Sequence, residues 1–361
     1  MSRTFKLAIV LIILTIMAIG GLYYKFNYSN KINTSKKISK NIKKDDNLKL
    51  YNSFNNGDLD KVIKTLNAKK NKQINDLIIL GWSYLQDGSL NFKEKEAAKK
   101  GIDIANQILK LDPKNVEAYH MIGYANEITM NYDEAIKNYQ KALEIQKNNA
   151  DIVAQMGHAY DLKGDFKKAK ELYQKAYSID NNNLFANLSL GRVAYRENRY
   201  QDAIPKLKMV IEKEPNNRRV AEAAGMLAQT YIYSEKNHNL KEAEKYTDLA
   251  IQKDPKFANA YLSKAQVINL KMWESEDDNL DYDKLFQDIE KEINKAIELN
   301  PTLTDAYWFK AKIFIPISNE REKAVEAYQK ALEVVDKDNI LMDNQKKEYK
   351  KKIKEDRKSV V

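Results

Sequence analysis

The strongest constraint on the fold of this chain is a 34-residue period in its sequence. Three consecutive blocks, residues 116–149, 150–183 and 184–217, align without a gap. At fixed positions each block carries a glycine (Gly123, Gly157, Gly191), an alanine (Ala135, Ala169, Ala203) and an aromatic residue or leucine (Tyr139, Tyr173, Leu207). A period of this length predicts an array of one small structural unit, because such a unit buries its apolar face only against its neighbours.

Within each block the apolar spacing predicts a helical hairpin. Ala135, Tyr139 and Ala142 follow the i, i+4, i+7 spacing of one helical face, and the same spacing recurs in the other two blocks. The small residues let two helices approach closely, and the aromatic side chain fills the space beside them. Gly164-Asp165 predicts the turn between the two helices of the second block.

The pattern resembles the tetratricopeptide repeat, whose 34 residues carry W-x2-L-G-x2-Y and then A-x3-F. The resemblance implies an all-α fold: a right-handed α-solenoid of stacked helix-turn-helix hairpins, whose first helices line a concave groove. Less regular copies occur upstream, around Gly81, and downstream, around Ala243, Ala265 and Tyr328. We therefore expect six to seven repeats over residues 47–339, with a degenerate first copy.

An uncharged segment, LAIVLIILTIMAIGGLYY, occupies residues 7–24. At about 1.5 Å per residue, a helix of this length nearly crosses a hydrocarbon core of about 30 Å. We predict an N-terminal transmembrane helix within residues 1–25, which anchors the protein in the cell membrane as a single-pass protein. A cleaved signal peptide is the alternative, because Arg3 and Lys6 precede the apolar run and Ala18-Ile19-Gly20 resembles a cleavage site. A buried core helix is disfavoured, because no polar face marks the segment.

The two ends of the chain carry its excess positive charge. Residues 26–46 are rich in Lys and Asn and predict a flexible linker. Residues 340–361 predict a capping helix with a basic tail, because the end of a solenoid needs a polar cover. The remaining chain is slightly acidic, which argues against nucleic-acid binding by the folded body. Positively charged residues lie on both sides of the apolar segment, and each side favours a cytoplasmic location. We favour the orientation in which the short N-terminal tail lies in the cytoplasm and the repeat body lies outside it.

No set of residues in the sequence predicts catalysis. The chain has no cysteine, which excludes disulfides, thiolate metal sites and cysteine nucleophiles. His120 and His158 fall on first helices of adjacent repeats, near Asp151 and Asp161, but their spacing matches no metal signature. The acidic stretch 273–288 lacks the glycine of a calcium-binding loop. We therefore expect neither enzymatic activity nor a bound cofactor or metal.

The resemblance places a protein-binding groove at about positions two, five, nine, twelve and thirteen of each repeat. The residues at these positions combine aromatic rings with charges of both signs, as the hot spots of protein interfaces do. The groove residues that we expect to bind a protein or peptide ligand are Trp82, His120, Tyr124, Glu127, His158, Asp161, Phe185, Arg192, Tyr195, Arg196 and Trp308, and the same mapping adds Asp305 and Lys312. The Lys and Asn pair with which some family members clamp a carboxylate is absent.

The expected function is a membrane-tethered scaffold for protein–protein interaction, in the assembly of a bacterial cell-envelope complex. The Lys-, Asn- and Ile-rich composition favours a bacterial source of low genomic GC. Two alternatives stay open. One is an envelope enzyme whose acids include Glu127, Asp151 and Asp161. The other is contact of the basic tails with nucleic acid or lipid.

Overall fold

The computed structural model of the protein describes residues 50, 53–54, 57–90, 94–214, 216–236, 238–277, 279–314, 320–338, 341 and 343–360. The regular secondary structure in these ranges is helical, and no strand occurs there, which confirms the all-α prediction. The described residues form two compact units, one ending at Ser189 and the other beginning at Leu190. The two units are described separately.

The N-terminal unit is a series of antiparallel helical hairpins. Its helices are α1 (Leu59–Ala68), α2 (Ile74–Leu90), α3 (Glu94–Leu111), α4 (Val116–Ile128), α5 (Tyr132–Ile145), α6 (Ala150–Lys163), α7 (Phe166–Ile179) and the first part of α8 (Leu184–Arg196). The pairs α2/α3, α4/α5 and α6/α7 form hairpins, and each hairpin also packs on the next through α3/α4 and α5/α6. Each apolar face is thereby covered by the following repeat.

The C-terminal unit continues the same architecture. Beyond the end of α8 it contains α9 (Tyr200–Lys213), α10 (Asn217–Tyr233), α11 (Leu240–Lys253), α12 (Ala258–Glu274), α13 (Tyr282–Leu299), α14 (Thr304–Ile313), α15 (Arg321–Val334) and α16 (Asp343–Lys358). The hairpins are α10/α11, α12/α13 and α14/α15, and α16 packs against α15. The predicted helical hairpins are thus observed on both sides of the three regular blocks.

Contacts between glycines and aromatic rings close the regular hairpins as the spacing predicts. A methyl group built on Gly123 of α4 would lie 2.5 Å from the ring of Tyr139 on α5, and one on Gly157 would lie 3.0 Å from the ring of Tyr173. Both tyrosine side chains are fully buried. Only glycine leaves room for the ring at this closeness, so the glycine sets the distance between the two helices.

Asparagine side chains begin the first helix of successive repeats. The side-chain oxygens of Asn115, Asn149 and Asn183 accept hydrogen bonds from the backbone N–H three residues on, at 3.1, 3.3 and 2.8 Å. Asn216 caps α10 in the same way. These bonds satisfy N–H groups that lack a partner in the first turn of a helix, so each repeat begins at a defined residue.

The predicted turn between α6 and α7 has the expected geometry. Gly164 has φ +92°, a left-handed conformation that glycine adopts without steric cost. Asp165 then caps α7 through a hydrogen bond from the N–H of Lys168 at 3.0 Å.

The predicted membrane anchor, residues 7–24, and the predicted flexible linker, residues 26–46, lie outside the described ranges. Among the helices that the structure describes, none is both long enough and apolar enough to cross a bilayer.

Candidate functional site

The eleven predicted groove residues lie on the first helices α2, α4, α6, α8 and α14. Ten of them are buried, and Arg196 alone of the eleven is half-buried. Trp82 and Tyr124 have no exposed surface at all. Most of these side chains therefore contribute to packing between repeats, and the assignment of a ligand to them stays a prediction.

In the N-terminal unit, Glu127 connects three helices. Its carboxylate accepts a hydrogen bond from the Tyr139 hydroxyl at 3.1 Å and lies 2.9 Å from Nδ1 of His158. The Glu127 and His158 side chains are each only 2% exposed. A buried carboxylate is stable only with such partners, so this group ties α4, α5 and α6 together.

Aromatic contacts extend this group along the first helices. The ring of Trp82 lies 5.0 Å from that of His120 and 5.6 Å from that of Tyr124, between ring centres. The ring of His158 lies 5.8 Å from that of Phe185 on the next first helix. The predicted aromatic residues of this unit are thus brought together, in edge and tilted contacts that stabilise neighbouring repeats.

In the C-terminal unit, Arg192 forms a buried ion pair. Its guanidinium lies 2.6 Å from the carboxylate of Glu222 on α10, and the two side chains are 5% and 8% exposed. Burial raises the pKa of Glu222, and the charge of Arg192 opposes that rise. Of the two arginines predicted for the groove, Arg192 is therefore engaged in the interior, whereas Arg196 keeps part of its surface in solvent.

A second group in this unit surrounds the carboxylate of Asp305. We name Tyr195, Tyr233, Asp305 and Tyr349 the tyrosine–aspartate cluster. Tyr349 is one of the neighbours that lower the pKa of the Asp305 carboxyl group. Asp305 and Tyr233 are half-buried, whereas Tyr195 and Tyr349 are buried. The cluster thus joins α8, α10, α14 and α16 around one carboxylate that keeps part of its surface exposed.

The surroundings of the tyrosine–aspartate cluster raise the pKa values of its members. Burial, and secondly the nearby charge of Asp338, raise the pKa of Asp305 to about 7. The hydrogen bond from Tyr349 and the charge of Lys312 act in the opposite direction. Burial raises the pKa of Tyr195 as well, and the charges of Tyr200 and Asp305 add to the rise. Within the cluster, the pKa of about 7 makes Asp305 the member whose charge changes near neutral pH.

Sequence reasoning included Asp305 but missed Tyr233 and Tyr349. Tyr233 lies at the end of α10, which has 17 residues, whereas α8 has 13. The extra turn places the ring beyond the positions of the regular 34-residue repeat. Tyr349 lies on α16, whose charged composition indicates only a solvated cap. The position of Tyr349 on the apolar side of that helix was the sequence signal that could have indicated its contact with the repeats.

Trp308, another predicted groove residue, is covered by the C-terminal helix. Its indole N–H donates to the carboxylate of Asp356 at 2.8 Å, and its ring centre lies 5.1 Å from that of Tyr349. The ammonium of Lys312 lies 3.4 Å from Asp356 and 4.5 Å from the centre of the Trp308 ring. Burial lowers the pKa of Lys312, and the contact with Asp356 opposes this. Trp308 thus serves to hold α16.

The candidate metal ligands do not converge. No group of three or more His, Asp or Glu side chains among the described residues has a geometry that could hold a metal ion. Nδ1 of His120 lies 3.5 Å from the carboxylate of Glu117 on the same helix, whereas Nδ1 of His158 contacts the carboxylate of Glu127. In the acidic connection before α13, Asp281 accepts a hydrogen bond from the N–H of Lys284 and so caps that helix. The contacts of His120, His158 and Asp281 thus hold helices in place.

Comparison with known proteins gives the family of the repeats. Two tetratricopeptide-repeat family models match, over residues 114–182 and 162–229. No curated protein matches the sequence significantly.

Three solved structures illustrate the similarity. A chain of the APC/C hetero-tetramer Cut9-Hcn1 has 18% identity and a TM-score of 0.58, over 83% of this chain and 51% of its own. Human IFIT1, as a dimer with m7Gppp-AAAA, has 14% identity and a TM-score of 0.55, over 82% of this chain and 67% of its own. YrrB, described as a TPR protein with an unusual peptide-binding site, has 20% identity and a TM-score of 0.41, over 56% and 95%. The first two show the same fold, and the chain spans about half the length of the Cut9-Hcn1 chain.

Proposed function

Because the chain is a tetratricopeptide-repeat protein over the residues that the family models match, we propose that it is a non-catalytic scaffold that binds a protein or peptide partner. Arrays of stacked hairpins present extended surfaces along their first helices, and these surfaces bind other chains. The partner contacts the exposed parts of the first helices, and residues 7–24 hold the scaffold at a membrane.

One observation carries the binding proposal. In the tyrosine–aspartate cluster, Asp305 and Tyr233 keep part of their surface in solvent, whereas the neighbouring Tyr195 and Tyr349 are buried. Aromatic side chains next to a charged group are the usual anchors of protein interfaces. A cationic side chain of the partner would replace the proton that Asp305 holds near neutral pH. The preferred partner is therefore a segment with a Lys or Arg side chain.

The tether proposal depends on the sequence. Eighteen uncharged residues satisfy their own backbone hydrogen bonds as a helix in lipid. Tyr23 and Tyr24 stand at the end of the apolar run, followed by Lys25, as at a membrane interface. A tether raises the local concentration of a partner that lies in the same membrane, without any new contact. Assembly of a cell-envelope complex is the role that such an arrangement favours, with the repeats outside the cytoplasm.

Photo-crosslinking tests the binding proposal. A crosslinking amino acid is placed in living cells at Arg196 or Tyr233, which are half-buried on first helices. The matched control positions are Tyr282 and Lys291, which are exposed on the second helix α13. We expect a discrete crosslinked product from the first-helix positions and none from the control positions. Products of equal yield from both sets, or from the control set alone, would contradict the proposed surface.

Cell fractionation tests the tether. The full chain should sediment with membranes and resist extraction by salt and by alkaline carbonate, because apolar burial in lipid does not depend on charge. A variant that lacks residues 1–25 should be found in the soluble fraction. If the deletion variant sediments with membranes as the full chain does, residues 7–24 are not the anchor.

A further inference from the structure

The C-terminal helix α16 carries a straight row of lysines. Lys347, Lys351, Lys354 and Lys358 are all exposed, and their spacing is i, i+4, i+7, i+11. At 3.6 residues per turn, these four side chains lie within about 60° of one another around the helix and span about 16 Å along it. We name these four residues the lysine stripe.

The opposite side of α16 is fixed to the C-terminal unit. Tyr349, Ile353 and Val360 are buried in one apolar cluster with Trp308. Asp356 accepts the hydrogen bond from the Trp308 indole described above. Because the buried residues lie about half a turn from the stripe, the helix cannot rotate its lysines towards the repeats. The stripe therefore faces away from the unit that holds it.

The stripe also differs from the other basic residues of the helix in its contacts. Lys350 pairs with Asp336 at 2.6 Å, Lys352 pairs with Glu348 at 2.7 Å, and Arg357 donates to Gln329 at 2.8 Å. Within the part of the chain that the structure describes, no ion pair involves any of the four stripe lysines. Their charges are thus available to an external partner.

We propose that the lysine stripe is a docking surface for a bilayer that contains anionic lipid headgroups. A flat row of four like charges, held on a rigid helix, fits an extended surface of opposite charge. Each lysine near an anionic membrane gives roughly a five-fold gain in binding. The proposal rests on the tether of the proposed function, because residues 7–24 would keep α16 near such a surface.

Two features favour lipid over nucleic acid. The four lysines form a single row, and α16 offers neither an exposed arginine nor an exposed aromatic residue beside it that could contact bases. Glu348 and Glu355 are exposed along one border of the stripe, where they would oppose a phosphate backbone that wraps around the helix. A flat bilayer meets only the row itself.

The absence of cysteine allows a direct test with the full chain. An environment-sensitive fluorophore is attached to Glu355→Cys, beside the stripe, or to the control Glu144→Cys, an exposed glutamate on α5. Each labelled protein is mixed with vesicles of phosphatidylcholine alone, or of phosphatidylcholine with phosphatidylglycerol. The measurements are the emission maximum of the probe and flotation of the protein with the vesicles.

Two charge variants accompany the probes. The stripe variant changes Lys347, Lys351, Lys354 and Lys358 to Gln. The control variant changes four exposed lysines of the N-terminal unit to Gln, with the same loss of charge; they are Lys64, Lys147, Lys167 and Lys175. We expect the probe at position 355 to shift to the blue with anionic vesicles only, and the shift to disappear at high salt. The stripe variant should lose at least about tenfold in the preference for anionic vesicles, and the control variant should keep it.

The outcomes separate this proposal from the tether. If the protein floats with both vesicle types while the probe at position 355 does not respond, the stripe proposal is wrong and the tether stands. If the protein floats with anionic vesicles alone and the stripe variant does not, the stripe is supported and the tether is wrong. If the protein floats with neither vesicle type, both the stripe proposal and the tether proposal are wrong. A response of the probe to duplex DNA or RNA, but not to anionic vesicles, would overturn the lipid assignment.

Discussion

The carboxylate of Glu127 lies 2.9 Å from Nδ1 of His158, across the boundary between two repeats. The two residues are 31 positions apart in the sequence, and both are on first helices. Arg192 and Glu222, 30 positions apart, form the corresponding contact in the C-terminal unit. Polar pairs between successive first helices thus recur in both units, and they determine how these side chains respond to mutation.

Loss of Glu127 should destabilise the N-terminal unit. Glu127→Ala leaves the Tyr139 hydroxyl and His158 buried without their acceptor, which costs about 3 kcal/mol. The exposed Glu134, which pairs with Lys137 on the surface, is the matched control, and Glu134→Ala should change stability by less than about 0.5 kcal/mol. Urea denaturation followed by circular dichroism gives both values. Equal midpoints for the two variants would show that the buried group does not stabilise the unit.

A methyl group at Gly123 should separate α4 from α5. The new carbon would lie 2.5 Å from the buried ring of Tyr139, so Gly123→Ala should cost about 1–3 kcal/mol, despite the higher helix propensity of alanine. Gly164→Ala is the matched control, because nothing lies within 4 Å of that position. There the cost is limited to backbone strain of about 1 kcal/mol. A smaller loss for Gly123→Ala than for Gly164→Ala would contradict the packing of the hairpin.

The buried ion pair between Arg192 and Glu222 predicts a rescue. Arg192→Met leaves the Glu222 carboxylate without its partner and should cost about 3–5 kcal/mol, whereas the double variant Arg192→Met, Glu222→Leu should recover most of that loss. The measurement is a double-mutant cycle in denaturant. Additive losses would show that the two side chains act independently. Arg192 is therefore unsuited to a test of ligand binding, because its replacement acts first on folding.

Asp305 predicts a dependence of stability on pH. Its pKa in the folded protein, about 7, lies above the value of an unfolded aspartate, about 4. The folded state therefore binds the proton more tightly, and stability should fall as pH rises from about 4 to 7 and then level off. Glu222, whose pKa is also raised, acts in the same direction.

The variant Asp305→Asn isolates this effect. It cannot titrate, so its melting temperature should fall less between pH 5 and pH 8 than that of the wild type. Asp305 faces Tyr195, Tyr233, Tyr349, Asp338 and Lys312, and of these Asp338 is the other acid that can contribute. Asp338→Asn is the companion variant. Identical pH profiles for wild type and Asp305→Asn would contradict the raised pKa.

The sequence was sufficient for the hairpins because their packing is local. Gly123 and Tyr139 lie 16 positions apart, and both belong to one repeat, so the 34-residue period shows their contact directly. The asparagine caps at Asn115, Asn149 and Asn183 were visible in the same period but were not used. The local spacing of apolar residues therefore predicted how the regular helices pair.

The candidate surface was less predictable, because it depends on contacts between repeats. Trp82, Tyr124 and His158 occupy positions assigned to a groove, yet all three side chains are buried. Their exposure depends on how closely successive first helices approach, which the period does not give. Tyr233 was missed because α10 is longer than the regular first helix, and the irregular spacing beyond residue 217 removes the alignment. Prediction of a surface that several repeats form together requires knowledge of how the repeats stack in three dimensions.

The most direct test of the proposed scaffold is an affinity measurement on the partner that crosslinking identifies. Isothermal titration would compare the wild type with Tyr233→Ala, on the first-helix surface, and with Tyr282→Ala, an exposed tyrosine on a second helix. The proposed function predicts that Tyr233→Ala raises the Kd at least about tenfold, as loss of an interface anchor does, while Tyr282→Ala leaves the Kd unchanged. An unchanged Kd for Tyr233→Ala, with the fold intact by circular dichroism, would contradict binding at the first helices.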